Sequence, residues 1–430
     1  MTRTTRRTVL RYAGVAGSSV AVAGCSSGDG DDGGAVPGGD VSEDALAGET
    51  IELGVFTDEP AARMAVEEIN ANGGVLGAEM EVLTGSSDSP ADARNHHRRL
   101  TFEEGVDVTL GLFFDPTLRN TMESMAEQRT LHLTTGAAGY EISQVLKEDY
   151  EPYKYHFRVG PINSKQLARG QLEFLEKNAA DLGWDRVGFL VEDLSSFNPF
   201  EEEMARADSE IDDIEVVYNE VLSQGLTNWT PVYDELESRD ADVAMVTQAL
   251  SGTAAAQQWV NQQRSFEFGG IHVPAQFDGF WDEIEGTCEY IFTMNAATPQ
   301  STNTEHTQPF VESYVDREGT VPIYSGFIMY DAVRLYAQAV RETGTTDSET
   351  LVSVLEDLTF EDSVWLPKIE FQGPDDEFPH DPVWESMADS GVPVWQQWQW
   401  DPEVREDRGT MHAFAPEGVA SSTYQKPDWI

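Results

Sequence analysis

The stretch that most constrains the fold is residues 65–77, AVEEINANGGVLG. Its first half places apolar residues three and four positions apart, as on one face of a helix, with charged residues between them. The tripeptide Asn72-Gly73-Gly74 then predicts the end of that helix, because these residues readily adopt positive φ. Strand-like segments flank it at 51–56 and 79–84. The stretch therefore predicts a β-α-β unit, which starts a parallel sheet.

The same alternation continues along most of the chain, and a second set of strands and helices begins after Gly160-Pro161. Strands are predicted at 51–56, 79–84, 106–110, 131–134, 156–159, 186–191, 214–221, 242–246, 270–273, 290–293, 364–371 and 392–400. Helices are predicted at 90–104, 115–128, 164–178, 199–207, 229–238, 252–263, 308–316, 325–341 and 349–358. The last residues, to Ile430, are predicted to be turn-rich. The pattern predicts an α/β protein with two sheets of the βα type.

The first 24 residues are predicted to be a targeting segment and not part of the fold. Arg6-Arg7 matches a twin-arginine signal, and Val22-Ala23-Gly24-Cys25 resembles a lipobox, in which the cysteine carries a lipid. The alternative is a disordered tail with a chance cysteine. Residues 25–48 are rich in Gly and Asp and predict a disordered acidic linker. We therefore expect an exported protein, anchored by lipid at Cys25 to the outer face of the cytoplasmic membrane.

Charge narrows the possible partners. The 77 acidic and 27 basic residues give a formal net charge of −50, which argues against nucleic acid as a partner and against contact with an anionic membrane surface other than through the lipid anchor. Lysine occurs only six times, a composition that resembles halophile proteins. No serine-hydrolase elbow, Walker A loop or zinc-protease motif occurs. We predict no enzyme, cofactor or metal site, although paired carboxylates for glycoside hydrolysis remain an open alternative.

Six motifs together resemble one family: AVEEINANGGVLG at 65–77, GVDVTLG at 105–111, LHLTTGAAGYE at 131–141, FRVGPINS at 157–164, RVGFLVED at 186–193 and YDAVRLYAQA at 330–339. In order and spacing they resemble extracytoplasmic solute-binding proteins of ABC importers, of the branched-chain amino acid (Leu/Ile/Val-binding) type. The resemblance implies the type I periplasmic-binding fold, in which two doubly wound parallel-sheet lobes are joined by a three-segment hinge. It also implies a monomer that closes on a small ligand and docks on a permease driven by an ATPase.

This fold predicts a division of the chain into seven segments. They are the signal peptide (1–24), the linker (25–48), lobe 1 (49–160 and 298–371), lobe 2 (161–297 and 372–415) and a C-terminal tail (416–430). The hinge crossings are expected near Gly160-Pro161, near 296–302 and after Phe371.

Ligands of open α/β sheets bind beyond the carboxyl ends of the strands, so the loops there are the candidate cleft. These loops are 113–117, 134–139, 193–198, 247–250 and 276–279. Their candidate ligand-binding residues are Asp115, Thr117, Gly136, Ala137, Ala138, Phe197, Gln248 and Asp278.

Carrying over the family's site gives three departures and one match. Its carboxylate-binding serine falls on Asp115, its threonine on Ala138, its second-lobe aromatic on Phe197 and its acidic ammonium partner on or near Asp278. Asp115 alternatively caps a helix that begins at Asp115-Pro116. Phe197 alternatively packs within its lobe, and Asp278 is alternatively a turn residue.

The resemblance and these departures predict a small polar ligand. A branched-chain or other small amino acid comes first, and urea or a short amide is the alternative. Two further classes remain open, a ligand sensor and a secreted hydrolase.

Overall fold

The computed structural model of the protein describes residues 41–211 and 214–430. The predicted signal peptide, Cys25 and the linker as far as residue 40 lie outside the described residues. Within the described ranges, no helix is both long and apolar enough to cross a bilayer.

Strands and helices alternate along the described chain. The strands are β1 (Thr50–Val55), β2 (Glu79–Thr84), β3 (Val108–Gly111), β4 (His132–Thr134), β5 (His156–Arg158), β6 (Arg186–Glu192), β7 (Glu215–Leu222), β8 (Val243–Gln248), β9 (Glu267–His272), β10 (Phe292–Asn295), β11 (Val394–Gln399) and β12 (Thr410–Ala415). The helices are α1 (Glu59–Ala71), α2 (Pro90–Arg98), α3 (Asp115–Gln128), α4 (Glu141–Glu148), α5 (Tyr150–Tyr153), α6 (Ser164–Leu182), α7 (Asn198–Glu210), α8 (Thr230–Ser238), α9 (Gly252–Asn261), α10 (Phe280–Glu283), α11 (Thr307–Glu318), α12 (Tyr324–Thr343), α13 (Ser348–Leu355) and α14 (Met387–Ser390).

The first lobe is built on a sheet of strand order β2-β1-β3-β4-β5, and each of its pairings is parallel. The β-α-β unit predicted around residues 65–77 is confirmed, with Thr50 of β1 opposite Glu79 of β2. Helix α1 ends at Ala71, and Gly74 then turns the chain with a φ of 77°. A Cβ at that position would lie 2.0 Å from the carbonyl oxygen of Ala78, so only glycine fits there.

Helix α12 fills the centre of this lobe. The sequence predicts it at 325–341, and it spans Tyr324–Thr343. Its side chains are buried around most of its circumference, in one cluster with β1 and α1. A helix apolar on so many sides is typical of a fully enclosed position. Residues after 296 therefore return to complete the first lobe.

The second lobe is built on a sheet of order β12-β11-β10-β9-β8-β6-β7. Strands β6 to β10 pair in parallel, whereas β11 and β12 are antiparallel. The prediction that the last residues are turn-rich is wrong for Thr410–Ala415, which forms β12. Five of its six residues are buried and Phe414 is partly buried, so it lacks the alternation of buried and exposed residues that predicts a strand from a sequence.

The predicted strand at 364–371 is also wrong. Only two isolated bridges form around it, between Phe360 and Ile369 and between Phe371 and Pro382. Pro367 lies within this segment. Because proline has no N–H, it interrupts the ladder that a strand requires.

The chain crosses between the lobes three times, after β5, after β10 and before β11. The third crossing is hydrogen-bonded to the first, because the backbone carbonyl of His380 accepts from the backbone N–H of Arg158 at 2.9 Å. Both ends of the described part of the chain also pack on the lobes. Leu46, within the predicted linker, lies in the first lobe's core, and Trp429 packs against the second.

Candidate functional site

A cavity of about 760 Å³ lies between the two sheets, at the carboxyl ends of their strands. Each of the five predicted cleft loops contributes at least one residue to its lining. Five of the eight predicted site residues line it. Asp115, Thr117, Gly136 and Ala138 face it from the first lobe, and Phe197 faces it from the second. That these residues contact a ligand stays a prediction.

The other three predicted residues do not line the cavity. Ala137 is 1% exposed and packs in an apolar cluster beneath α3 and α4. Strand β8 continues to Gln248, two residues beyond its predicted end, so Gln248 is buried within the sheet and the lining begins at Ala249. Asp278 pairs with Arg405 at 2.7 Å and with Arg408 at 3.3 Å. Its charge is therefore already neutralised within the second lobe.

Asp115 does not cap a helix, so the alternative role predicted for it is wrong. Helix α3 starts at Asp115, but Phe114 is the capping position and no side chain caps there. The Oδ1 atom of Asp115 instead accepts from the N–H of Gly139 at 2.6 Å. Burial raises the pKa of Asp115, and hydrogen bonds from the backbone of Gly139 and Ala138, with the charge of Arg158, oppose that rise.

Glu141 places a second carboxylate beside Asp115. A methyl group built on Gly139 would lie 2.8 Å from Asp115 Oδ1 and 2.9 Å from Glu141 Oε2, so both carboxylates flank the same point above Gly139. Burial raises the pKa of Glu141, and the negative charge of Asp115 raises it further. The first-lobe wall therefore carries two carboxylates close together.

Arg158, at the end of β5, holds the loop that contains Gly139. Its guanidinium is fully buried, lies 2.9 Å from Asp381 and donates to the carbonyl of Gly139 at 2.8 Å. It also donates to the carbonyl of Ala137. Because the guanidinium takes these carbonyls, the N–H groups of residues 138 and 139 remain directed at Asp115.

Glu192, at the end of β6, holds the facing loop of the second lobe. Its buried carboxylate accepts from the N–H groups of Ala249, Leu250 and Ser251 at 2.7, 2.9 and 2.8 Å. Three donors converging on one carboxylate fix the backbone of this loop.

The two walls of the cavity differ in charge. Each charged lining residue, Asp88, Asp115, Arg119 and Glu141, belongs to the first lobe. The second lobe contributes apolar side chains and a few neutral polar ones, among them Leu194, Phe197, Phe200, Leu250, Ile271, Val273, Gln276, Met294 and Asn295. The cavity therefore suits a solute with an apolar body and one polar end.

Four residues of this arrangement are missed by the sequence reasoning. Glu141, Arg158 and Glu192 lie within the motifs 131–141, 157–164 and 186–193, so a signal was present. Tyr324 had no such signal, because it comes from the distant helix α12. Its hydroxyl donates to the carbonyl of Gly136 at 2.9 Å, and its ring lines the cavity.

Solved structures of similar fold come from several bacteria. A Silicibacter pomeroyi protein assigned to a branched-chain amino acid ABC transporter is 16% identical, with a TM-score of 0.74 over 89% of this chain and 100% of its own. LivJ of Streptococcus pneumoniae, in complex with isoleucine, is 15% identical, with a TM-score of 0.65 over 85% and 100%. A solute-binding protein from Rhodopseudomonas palustris BisB5, in complex with 3,4-dihydroxybenzoic acid, is 16% identical, with a TM-score of 0.64 over 88% and 98%.

No curated protein sequence matches this chain significantly. The model of one family, described as periplasmic binding protein, matches residues 57–413, which is most of the chain. The two doubly wound lobes and the cavity between them agree with that match. The chain belongs to the periplasmic binding protein family and has the type I fold of its structural neighbours.

Proposed function

We propose that this protein is the substrate-binding receptor of an ABC importer, which closes its lobes on a small solute and delivers it to a permease and its ATPase. The observation that carries the proposal is the cavity of about 760 Å³ with lining residues from both lobes. A solute held there contacts both lobes at once, so its binding energy favours the closed form. Asp115, Thr117, Gly136, Ala138 and Phe197 are its proposed contacts.

The lining favours a solute with an apolar part. Phe113, Phe197 and Phe200 line the cavity, and Ile271 and Met294 continue this apolar lining. Similar folds hold isoleucine in one protein and 3,4-dihydroxybenzoic acid in another. A branched-chain amino acid or a related solute of that size fits such a surface. Urea, the predicted alternative, leaves this apolar surface without a contact.

Mass spectrometry of solutes released from natively purified protein tests this site. The variant Ala138→Trp fills the cavity and should lose the released solute. Ala71→Trp, at the exposed end of α1, adds the same side chain outside the cavity and should retain it. The same released solutes from both variants would place binding elsewhere. Small-angle scattering should show compaction when the released solute is added back to stripped protein.

We also propose that the protein is exported and anchored by lipid at Cys25. The twin Arg6-Arg7 and the segment Val22-Ala23-Gly24-Cys25 support this. A formal charge of −50 further supports an environment of high salt, where screening reduces self-repulsion. Cys25→Ser should release the protein from membranes or leave it unprocessed. Fractionation of this variant with membranes, as for the wild type, would contradict the anchor.

A further inference from the structure

We propose that the solute presents a protonated amine, and not a carboxylate, to the first-lobe wall, where Asp115 and Glu141 receive it. This inference rests on the proposed function, since it takes the cavity as the solute site. It narrows the solute to an amphipathic amine, whose apolar body faces the second lobe.

Three backbone donors of the first lobe are already engaged within the protein. Backbone N–H groups directed at a ligand commonly hold a carboxylate. In the loop after β4, the N–H of Ala137 donates to Leu112 at 3.1 Å, and that of Tyr140 donates to Ser164 at 3.2 Å. The N–H of Gly139 donates to Asp115 at 2.6 Å. The protein's own carboxylate therefore occupies the place that a ligand carboxylate would take.

The facing loop of the second lobe, at residues 249–251, also uses its backbone donors within the protein. The N–H groups of residues 249 to 251 converge on Glu192, which is 1% exposed. A ligand anion would have to displace a buried carboxylate to reach them. These donors of the two facing loops are thus used within the protein.

The charges of the first-lobe wall also favour a cationic group on the solute. Asp88, Asp115 and Glu141 outnumber Arg119, the one cationic side chain among the described lining residues. Arg119 and Asp88 are exposed, whereas Asp115 and Glu141 are partly buried. Arg158 is near but is engaged by Asp381 and two carbonyls. Burial raises the pKa of both inner carboxyl groups, and the charge of Asp115 raises the pKa of Glu141 further. An ammonium between the two carboxylates would relieve that cost.

Two probes that share a phenyl body and differ in their charged end test the inference. Calorimetric titration of the stripped, full-length mature protein compares 2-phenylethylamine with 3-phenylpropionate. Because a charge-assisted hydrogen bond changes affinity by roughly ten- to a hundredfold, the amine should bind at least about tenfold more tightly.

Four substitutions separate charge from folding. Asp115→Asn removes the charge but keeps an oxygen that accepts from Gly139. Glu141→Gln removes the charge of the second carboxylate. Each should weaken the amine by about tenfold or more. Glu127→Gln is the matched control, because it removes an exposed charge from the same helix outside the cavity and should leave affinity unchanged. Asp115→Ser releases the N–H of Gly139 and should turn the preference toward 3-phenylpropionate.

The outcomes separate this inference from the proposed function. If 3-phenylpropionate binds the wild type as tightly as the amine and compacts the protein, the inference is wrong and the receptor function stands. A natively released solute that lacks a cationic group also overturns the inference alone. If neither probe binds and no solute is released from the native protein, both proposals fail.

Discussion

Two buried charged side chains each hold one loop at the cavity, one as a hydrogen-bond donor and the other as an acceptor. Arg158 ends β5 and donates to the carbonyls of residues 137 and 139. Glu192 ends β6 and accepts from the N–H groups of residues 249 to 251. In the first lobe a cation therefore fixes the carbonyls and leaves N–H groups to Asp115. In the second lobe an anion fixes the N–H groups.

This difference explains why the two walls differ in charge. In the first lobe, the N–H groups beside the cavity stabilise a lining carboxylate, so Asp115 can remain there despite its partial burial. In the second lobe, the buried carboxylate of Glu192 accepts from the N–H groups of the corresponding loop, so that wall needs no charged side chain at the cavity. One wall thus carries charge, and the other supplies apolar surface. The predictions below test whether the two devices are separate.

The largest effect is expected from Arg158→Met. It leaves Asp381 as an uncompensated buried charge, so the free energy of unfolding should fall by about 3–5 kcal/mol. Denaturant unfolding measures the loss. Arg186→Met, which removes a partly exposed pair with Glu215, is the control and should cost less than about 1 kcal/mol.

A second variant keeps the Arg158 prediction sharp. Because Asp381 also accepts from Ser143 and Asn163, Arg158→Met with Asp381→Asn removes both charges and keeps an acceptor for these two donors, so it should recover much of the stability. The lost hydrogen bonds to residues 137 and 139 should remain visible as weaker binding of the amine probe. A single variant as stable as the control would show that Arg158 does not hold this loop.

A smaller effect is expected from Glu192→Gln. The amide keeps one acceptor oxygen but turns its NH₂ group toward donors, so about 1.5–3 kcal/mol of stability should be lost. Hydrogen exchange should rise at residues 249–251 and stay unchanged at 136–139. Glu215→Gln, an exposed residue of the neighbouring strand, is the control. Faster exchange in both loops would contradict the separation of the two devices.

The sequence predicts the architecture better than it predicts the site. Apolar periodicity and glycine positions predict most strands and helices of both sheets, because these features are local along the chain. The pairing of Asp115 with Gly139, or of Arg158 with Asp381, joins residues that are distant in sequence. Loop order alone places Asp278 near the cavity, but it does not reveal two arginines more than a hundred residues later that take its charge.

The smallest effect is expected from Asp278→Asn, which compares this second-lobe carboxylate with Asp115. Asp278 lies outside the cavity lining and faces Arg405 and Arg408, so affinity for 2-phenylethylamine should change by less than about twofold. Its pairs are partly exposed, so loss of stability should stay below about 1 kcal/mol. Asp115→Asn measured alongside should weaken the probe by about tenfold or more. A loss for Asp278→Asn as large as that for Asp115→Asn would mean that the second lobe also recognises charge, and the difference between the two walls would disappear.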